Sequence, residues 1–129
     1  MALVPVLQSI NPELVERRGD LSVYRIDVDA RLMGRPGFLH GGAIGALFDA
    51  ALSLKIGEVL SGQDVQAQVL DMGIEYLRGG ALAETWVEVS LVRAGFRIVN
   101  LAATAWQDSR DRPIANCRMM FKVERAKPA

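Results

Sequence analysis

The chain has 129 residues, the length of one domain and enough to bury a hydrophobic core. Its fifteen basic and fifteen acidic residues cancel, and neither sign forms a long block, which excludes a nucleic-acid binder built on a basic stripe. One cysteine (Cys117) and one histidine (His40) exclude an internal disulfide and a His-rich metal site.

The N-terminal stretch has no basic leader and Pro5 interrupts its short apolar run, so no secretion signal is expected. No segment approaches the ~20 apolar residues that span a bilayer. A reducing cytoplasm is the expected compartment, with no membrane and no nucleic acid as partner. Pro12 suits a first helical position, so residues 12 to 18 are expected to form a short helix. From 21 to 30, Tyr24, Ile26, Val28 and Ala30 alternate with charged residues, the pattern of a half-buried strand. "RLMGRPGFL" follows and reads as a loop. From about Gly42 to Leu60 the spacing is helical and apolar nearly all round, as in a helix buried on most sides.

Strands are expected over the rest. In 65 to 78 the apolar phase flips from Val65, Ala67 and Val69 to Leu70, Met72, Ile74 and Tyr76, which predicts a bulge near 69–71 or a strand covered on each face in turn. Residues 83 to 92 alternate, 97 to 106 look covered on both faces, and 114 to 123 set Cys117 on an apolar face where its thiol is inert. Short breaks suit antiparallel neighbours. The sum is an α+β domain with one long helix and about five strands.

Asp49 stands out. No basic residue lies within four positions on either side, and burying an unpaired charge is costly. At ~100° per residue its surface neighbours are Gly45, Ala46, Leu52 and Ser53, with Lys55 and Glu58 on other sides. In that apolar sector desolvation would raise its basicity. Either this carboxylate is held by a backbone group at a helix edge, or a site uses it. Gly41 and Gly42 begin the helix, where free N–H groups favour negative charge. An amide aimed at an oxygen that gains negative charge in a reaction would stabilise it by roughly 2.7–4 kcal/mol. Glycine there also permits unusual backbone angles or close packing.

"HGG" opening a buried helix, Asp49 nine residues after His40, and the later "YLRGG" and "VRAGFR" together resemble the hotdog-fold acyl-CoA thioesterases, most nearly the phenylacetate-degradation (PaaI-like) branch. The likeness runs through residues 20 to 124. It implies one hotdog domain over 1–129, with an antiparallel five- to six-stranded sheet wrapped around one long central helix. It also implies a homodimer, with a dimer of dimers (homotetramer) beyond it. The implied activity is hydrolysis of small or aromatic acyl-CoA thioesters, with no cofactor because coenzyme A is part of the substrate, and no metal is expected.

By the same resemblance Asp49 attacks the carbonyl or activates water, Gly41 supplies the oxyanion N–H, and Ser53 assists; bare, Ser53 is also an ordinary packing serine. His40 and Gly42 belong to the substrate-binding loop, where His40 orients the loop rather than acting as base. Arg78, Arg93 and Arg97 are the candidates for the coenzyme phosphates. The sequence departs from its relatives in two places. Gly34 stands where an Asn or Gln often holds the thioester carbonyl, and Val69 stands where some have serine. These losses keep a non-catalytic acyl-CoA-binding protein in view. A hotdog dehydratase or hydratase is the third reading, disfavoured because no histidine follows residue 40. Gly41 and Asp49 lie ~12 Å apart along one helix, too far for both to serve one carbonyl, so each site is expected to take one group from each of two antiparallel helices.

Overall fold

The computed structural model describes residues 7–125; the reading of the first residues, Pro5 included, lies outside them. Six strands and one long helix follow in order: β1 (Glu13–Arg18), β2 (Leu21–Ile26), α1 (Gly41–Val59), β3 (Val65–Tyr76), β4 (Thr85–Ala94), β5 (Ile98–Trp106) and β6 (Ala115–Arg125). All pair antiparallel in one sheet of order β1-β2-β4-β5-β6-β3. The sheet curls over α1, the hotdog arrangement that the resemblance implies. Among the described residues no helix is long and apolar enough to cross a membrane.

Two expectations at the N-terminal end are corrected. Residues 13–18 form a strand, not a helix, because Gly19 and Asp20 make a two-residue hairpin turn that pairs Arg18 with Leu21. Gly19 has φ +57°, which suits the first central position of a II′ turn. Every residue of β1 is exposed, so its apolar periodicity carried no signal. This strand is the sixth where about five were expected. The strand expected over 21–30 ends at Ile26; Asp29 then accepts from the Arg31 N–H at 2.9 Å and caps a short 3-10 turn at Ala30–Leu32.

The apolar pattern of α1 is explained by what covers it. The helix lies across β2, β4, β5 and β6, and Ile44, Leu47, Phe48, Ala51, Leu52 and Ile56 are all buried against them. Lys55 is the polar exception, 3% exposed, with its Nζ donating to the Ser22 Oγ at 2.8 Å. On the side toward β3 the helix presents small or polar residues instead. Gly45 sits so near that an added Cβ would be 3.2 Å from the Ile74 Cδ1, and Asp49 and Ser53 follow one and two turns later, partly exposed.

In β3 the phase flip is a bulge: Val69 pairs with Phe121, Asp71 with Met120, and Leu70 is skipped. The bulge turns Met72 and Ile74 inward while leaving Val69 and Leu70 44% and 50% exposed. On β4 and β6 the expected inward residues Val87, Val89, Cys117, Met119 and Phe121 are buried. β5 buries Val99, Leu101, Ala103 and Ala105 on one face and covers the other only partly.

Candidate active site

The site begins where the loop meets the helix. The His40 N–H donates to the Leu32 carbonyl at 2.9 Å and the Leu39 N–H to the Gly80 carbonyl at 2.8 Å, which fixes how the chain enters α1. His40 is the N-cap, and its Nδ1 accepts from the Gly42 N–H at 2.9 Å. Accepting at Nδ1 puts the proton of a neutral imidazole on Nε2. The cap therefore uses one of the amides that a helix start leaves over. The Ile44 N–H is taken by the His40 carbonyl at 3.1 Å. Within the described residues the Gly41 N–H carries no hydrogen bond.

Glycine at 41 is not demanded by the chain's own fold. Its φ is not positive, and an added Cβ would meet only the Tyr76 ring and hydroxyl at 3.7 Å, ordinary contact. Its neighbours differ. A Cβ on Gly42 would lie 3.1 Å from the His40 Nδ1, and one on Gly34 only 2.9 Å from the His40 Cα. Gly34 is thus a packing requirement: the loop folds back so closely on His40 that a side chain at 34 would displace the backbone. The missing Asn or Gln is tied to this local path. Val69, the second departure, is an exposed residue at the β3 bulge.

Eight residues further on, Asp49 is partly buried, and its Oδ1 accepts from the Ser53 Oγ at 3.2 Å. The two residues expected to act together are in contact. Beneath them is Cys117, whose thiol is pushed up from 9.0 to about 11, first by burial and then by the negative charge of Asp49. At a helical rise of 1.5 Å per residue, the backbones of Gly41 and Asp49 stay ~12 Å apart along the axis. One chain does not bring them together.

The arginines divide in the same way. Arg93 and Arg97 flank an open groove at the β4–β5 turn with Gly95, Phe96 and Asn100. Neither is ion-paired with a carboxylate among the described residues. Arg125, not singled out by the sequence, joins them by stacking its guanidinium 4.2 Å from the Phe96 ring centroid. Arg78 lies at the other end of the sheet, with its Nε donating to the Pro113 carbonyl at 2.9 Å. From Ala115, which pairs with Tyr76, to Val123, which bonds the Arg97 carbonyl, is eight residues of β6, or ~27 Å at the usual strand rise.

The family model for the acyl-CoA thioesterase N-terminal domain matches residues 31–122. The chain belongs to the acyl-CoA thioesterase family. The fold is shared with a conserved protein of Pseudomonas aeruginosa (24% identity, 94% of each chain covered, TM-score 0.79). A Streptococcus mutans protein bound to acetyl CoA is similar at 21% identity over 90% of this chain and 92% of that one, TM-score 0.73. A phenylacetic acid degradation-related protein of Ralstonia eutropha is similar at 18% identity over 94% and 92%, TM-score 0.78. No curated protein gives a significant sequence match. In this thioesterase-family enzyme the helix start and the Asp49–Ser53 pair are the two candidate halves of the chemistry.

The proximity of Asp49 to Cys117 has a measurable consequence. A thiol whose folded value lies above its unfolded one contributes full stability below about pH 9, and loses it as pH rises toward 11. At pH 9 Cys117 should therefore alkylate far more slowly in the native protein than in guanidine. Asp49→Asn, by removing the second cause of the shift, should speed native alkylation. An unchanged rate in the folded variant would place the charge of Asp49 elsewhere.

Proposed function

We propose that the protein hydrolyses small or aromatic acyl-CoA thioesters to free acid and coenzyme A, acting in the cytoplasm as a homodimer of single hotdog domains. The observation that carries this reading is an unused amide at Gly41, a glycine that neither its φ nor packing within the chain requires. A glycine there leaves the approach to the amide uncrowded, and a thioester carbonyl oxygen fits a free N–H at the positive end of a helix. The likeness to a phenylacetic acid degradation-related protein supports the PaaI-like branch. The acetyl CoA bound by the Streptococcus mutans protein supports the substrate class.

The second group comes from another subunit. β3 ends the sheet order, so among the described residues one edge of its twelve residues is unpaired. Long, unprotected edges are templates for pairing with another chain. Two copies joined antiparallel along β3 about a two-fold axis set the Gly41 end of one helix beside the partner's Asp49, and repeat the arrangement at the second site. The same two-fold carries Arg78 of one subunit to the end of the sheet that holds the partner's Arg93 and Arg97. Those cations hold the coenzyme phosphates. A dimer of dimers is the higher assembly.

In the reaction the Gly41 N–H holds the carbonyl oxygen as it becomes negative. Asp49, with Oδ1 bonded to Ser53, attacks the carbonyl carbon or takes a proton from the water that attacks it. The tetrahedral centre then collapses, the C–S bond breaks, and the coenzyme thiolate leaves and takes up a proton. Attack by Asp49 leaves a mixed anhydride that water must then hydrolyse; base catalysis does not. The end products are the same. His40 and Gly42 shape the loop that receives the thioester. A dehydratase is disfavoured by the Nδ1 of His40, which is committed to the Gly42 amide and so not free as a base.

Two predictions follow from these roles. Asp49→Asn, tested on a panel of acyl-CoA substrates with thiol detection, should lose hydrolysis while keeping its fold. Retention of more than about a tenth of kcat/KM, a loss below ~1.4 kcal/mol, would remove Asp49 from the chemistry. Gly34→Asn, which restores the side chain common among relatives, should lower activity and the melting temperature together, because it drives against the His40 backbone. A rise in activity would show that the loop yields and that the amide was simply missing.

A further inference from the structure

The peptide unit between Gly41 and Gly42 is held at both ends by side chains. Its N–H donates to the His40 Nδ1 at 2.9 Å, and its carbonyl, that of Gly41, accepts from the Tyr76 hydroxyl at 2.8 Å. From this double grip we infer that Tyr76 is a positioning residue for thioester hydrolysis, setting the direction of the adjacent Gly41 N–H. The inference rests on the role proposed above for that amide.

The need for such a grip comes from the sequence. Two consecutive glycines have the largest backbone freedom of any pair, and the first turn of a helix lacks part of the hydrogen bonding that holds later turns. Left alone, this start would fray. An oxyanion donor, however, must be aimed before charge develops, since its advantage is that it needs no reorganisation during reaction. The cap on His40 fixes one end of the 41–42 peptide, but His40 is itself on an exposed loop. Tyr76 fixes the other end from the sheet, where its backbone pairs with Ala115 of β6 and the following Leu77 N–H bonds the Ile114 carbonyl at 2.9 Å. The hydroxyl thus ties the Gly-Gly start of the helix to a strand that β6 pairs on one edge.

The ring contributes too. It lies where a Gly41 side chain would point, with Cε1, Cζ and the hydroxyl oxygen all 3.7 Å from that position. Tyr76 therefore lines one wall of the space over Gly41. A bond to a carbonyl also polarises the whole peptide unit, so the Gly42 N–H becomes a better donor to His40. The two grips reinforce each other. Tyr76 is 53% exposed and Gly41, whose carbonyl it bonds, is exposed as well, so losing the hydroxyl leaves no buried group unsatisfied.

The test is Tyr76→Phe, which removes the hydroxyl and keeps the ring, with Gly41→Pro assayed alongside. Loss of the aim given by this one hydrogen bond should lower kcat roughly two- to thirteenfold, the equivalent of about 0.5–1.5 kcal/mol. KM and the binding of a CoA thioether, which has no carbonyl, should stay within about twofold. The Gly42 amide nitrogen resonance should also shift, reporting the freed carbonyl without any assay of activity. Parallel losses in melting temperature, KM and thioether affinity would reduce Tyr76 to a structural role and overturn the inference. Wild-type kcat in Tyr76→Phe, with Gly41→Pro inactive, would overturn it too while leaving the Gly41 reading intact. Full activity in Gly41→Pro would instead remove the amide from the chemistry, and Tyr76 with it.

Discussion

The site depends on which side of α1 the sheet leaves open. A helix apolar nearly all round must be covered nearly all round, and β2, β4, β5 and β6 do this for the side carrying Phe48, Leu52 and Ile56. What remains is the β3 side, where Gly45, Asp49 and Ser53 replace large apolar residues. Small residues let a neighbour approach, and the shared site proposed above gives the partly buried carboxylate of Asp49 its use. The carboxylate and the free amide also sit on one rigid rod, at a separation that a side chain cannot span. The shared site proposed above rests on that separation, on the β3 edge that no described strand covers, and on the division of arginines between the two ends of the sheet.

Much of this was legible in the chain. The helix could be placed to within a residue because its start signal and apolar run agree. The β3 bulge was visible as a change of phase between Val69 and Leu70, and structure puts the register shift there. β1 was not legible by periodicity, since all its residues face water. The usable signal was the Gly19–Asp20 pair, a turn motif that links Arg18 to Leu21, and Pro12 pointed the other way. Local propensity gave way to strand pairing.

Of the site, the contact between Asp49 and Ser53 follows from helical spacing and is present. The contact of Tyr76 was hidden because it depends on a hydroxyl reaching across thirty-five residues of sequence to Gly41. Periodicity could mark Tyr76 only as apolar. Arg125 was hidden for a similar reason: only the curl of β6 beside the β4–β5 turn brings it to Phe96. The sequence also could not tell why glycine stands at position 34, where the resemblance implies an Asn or Gln. In the folded loop the answer is steric, since His40 occupies the space. Loop and cap form one unit: Gly34 makes room for His40, His40 takes the Gly42 amide, and no described residue takes the Gly41 amide.

The central claim is that this amide and Asp49 of another subunit serve one carbonyl. Gly41→Pro deletes the N–H with little cost to the helix, because proline is favoured at the first helical position and His40, at φ −65° and ψ 139°, already has the extended conformation that precedes proline. The decisive measurement is the activity of Gly41→Pro mixed with Asp49→Ala under verified subunit exchange, each inactive alone. Half of the dimers are then mixed, and each mixed dimer has one site with both lesions and one with neither, so up to about a quarter of wild-type activity should return. No recovery, with exchange demonstrated, would contradict the shared site.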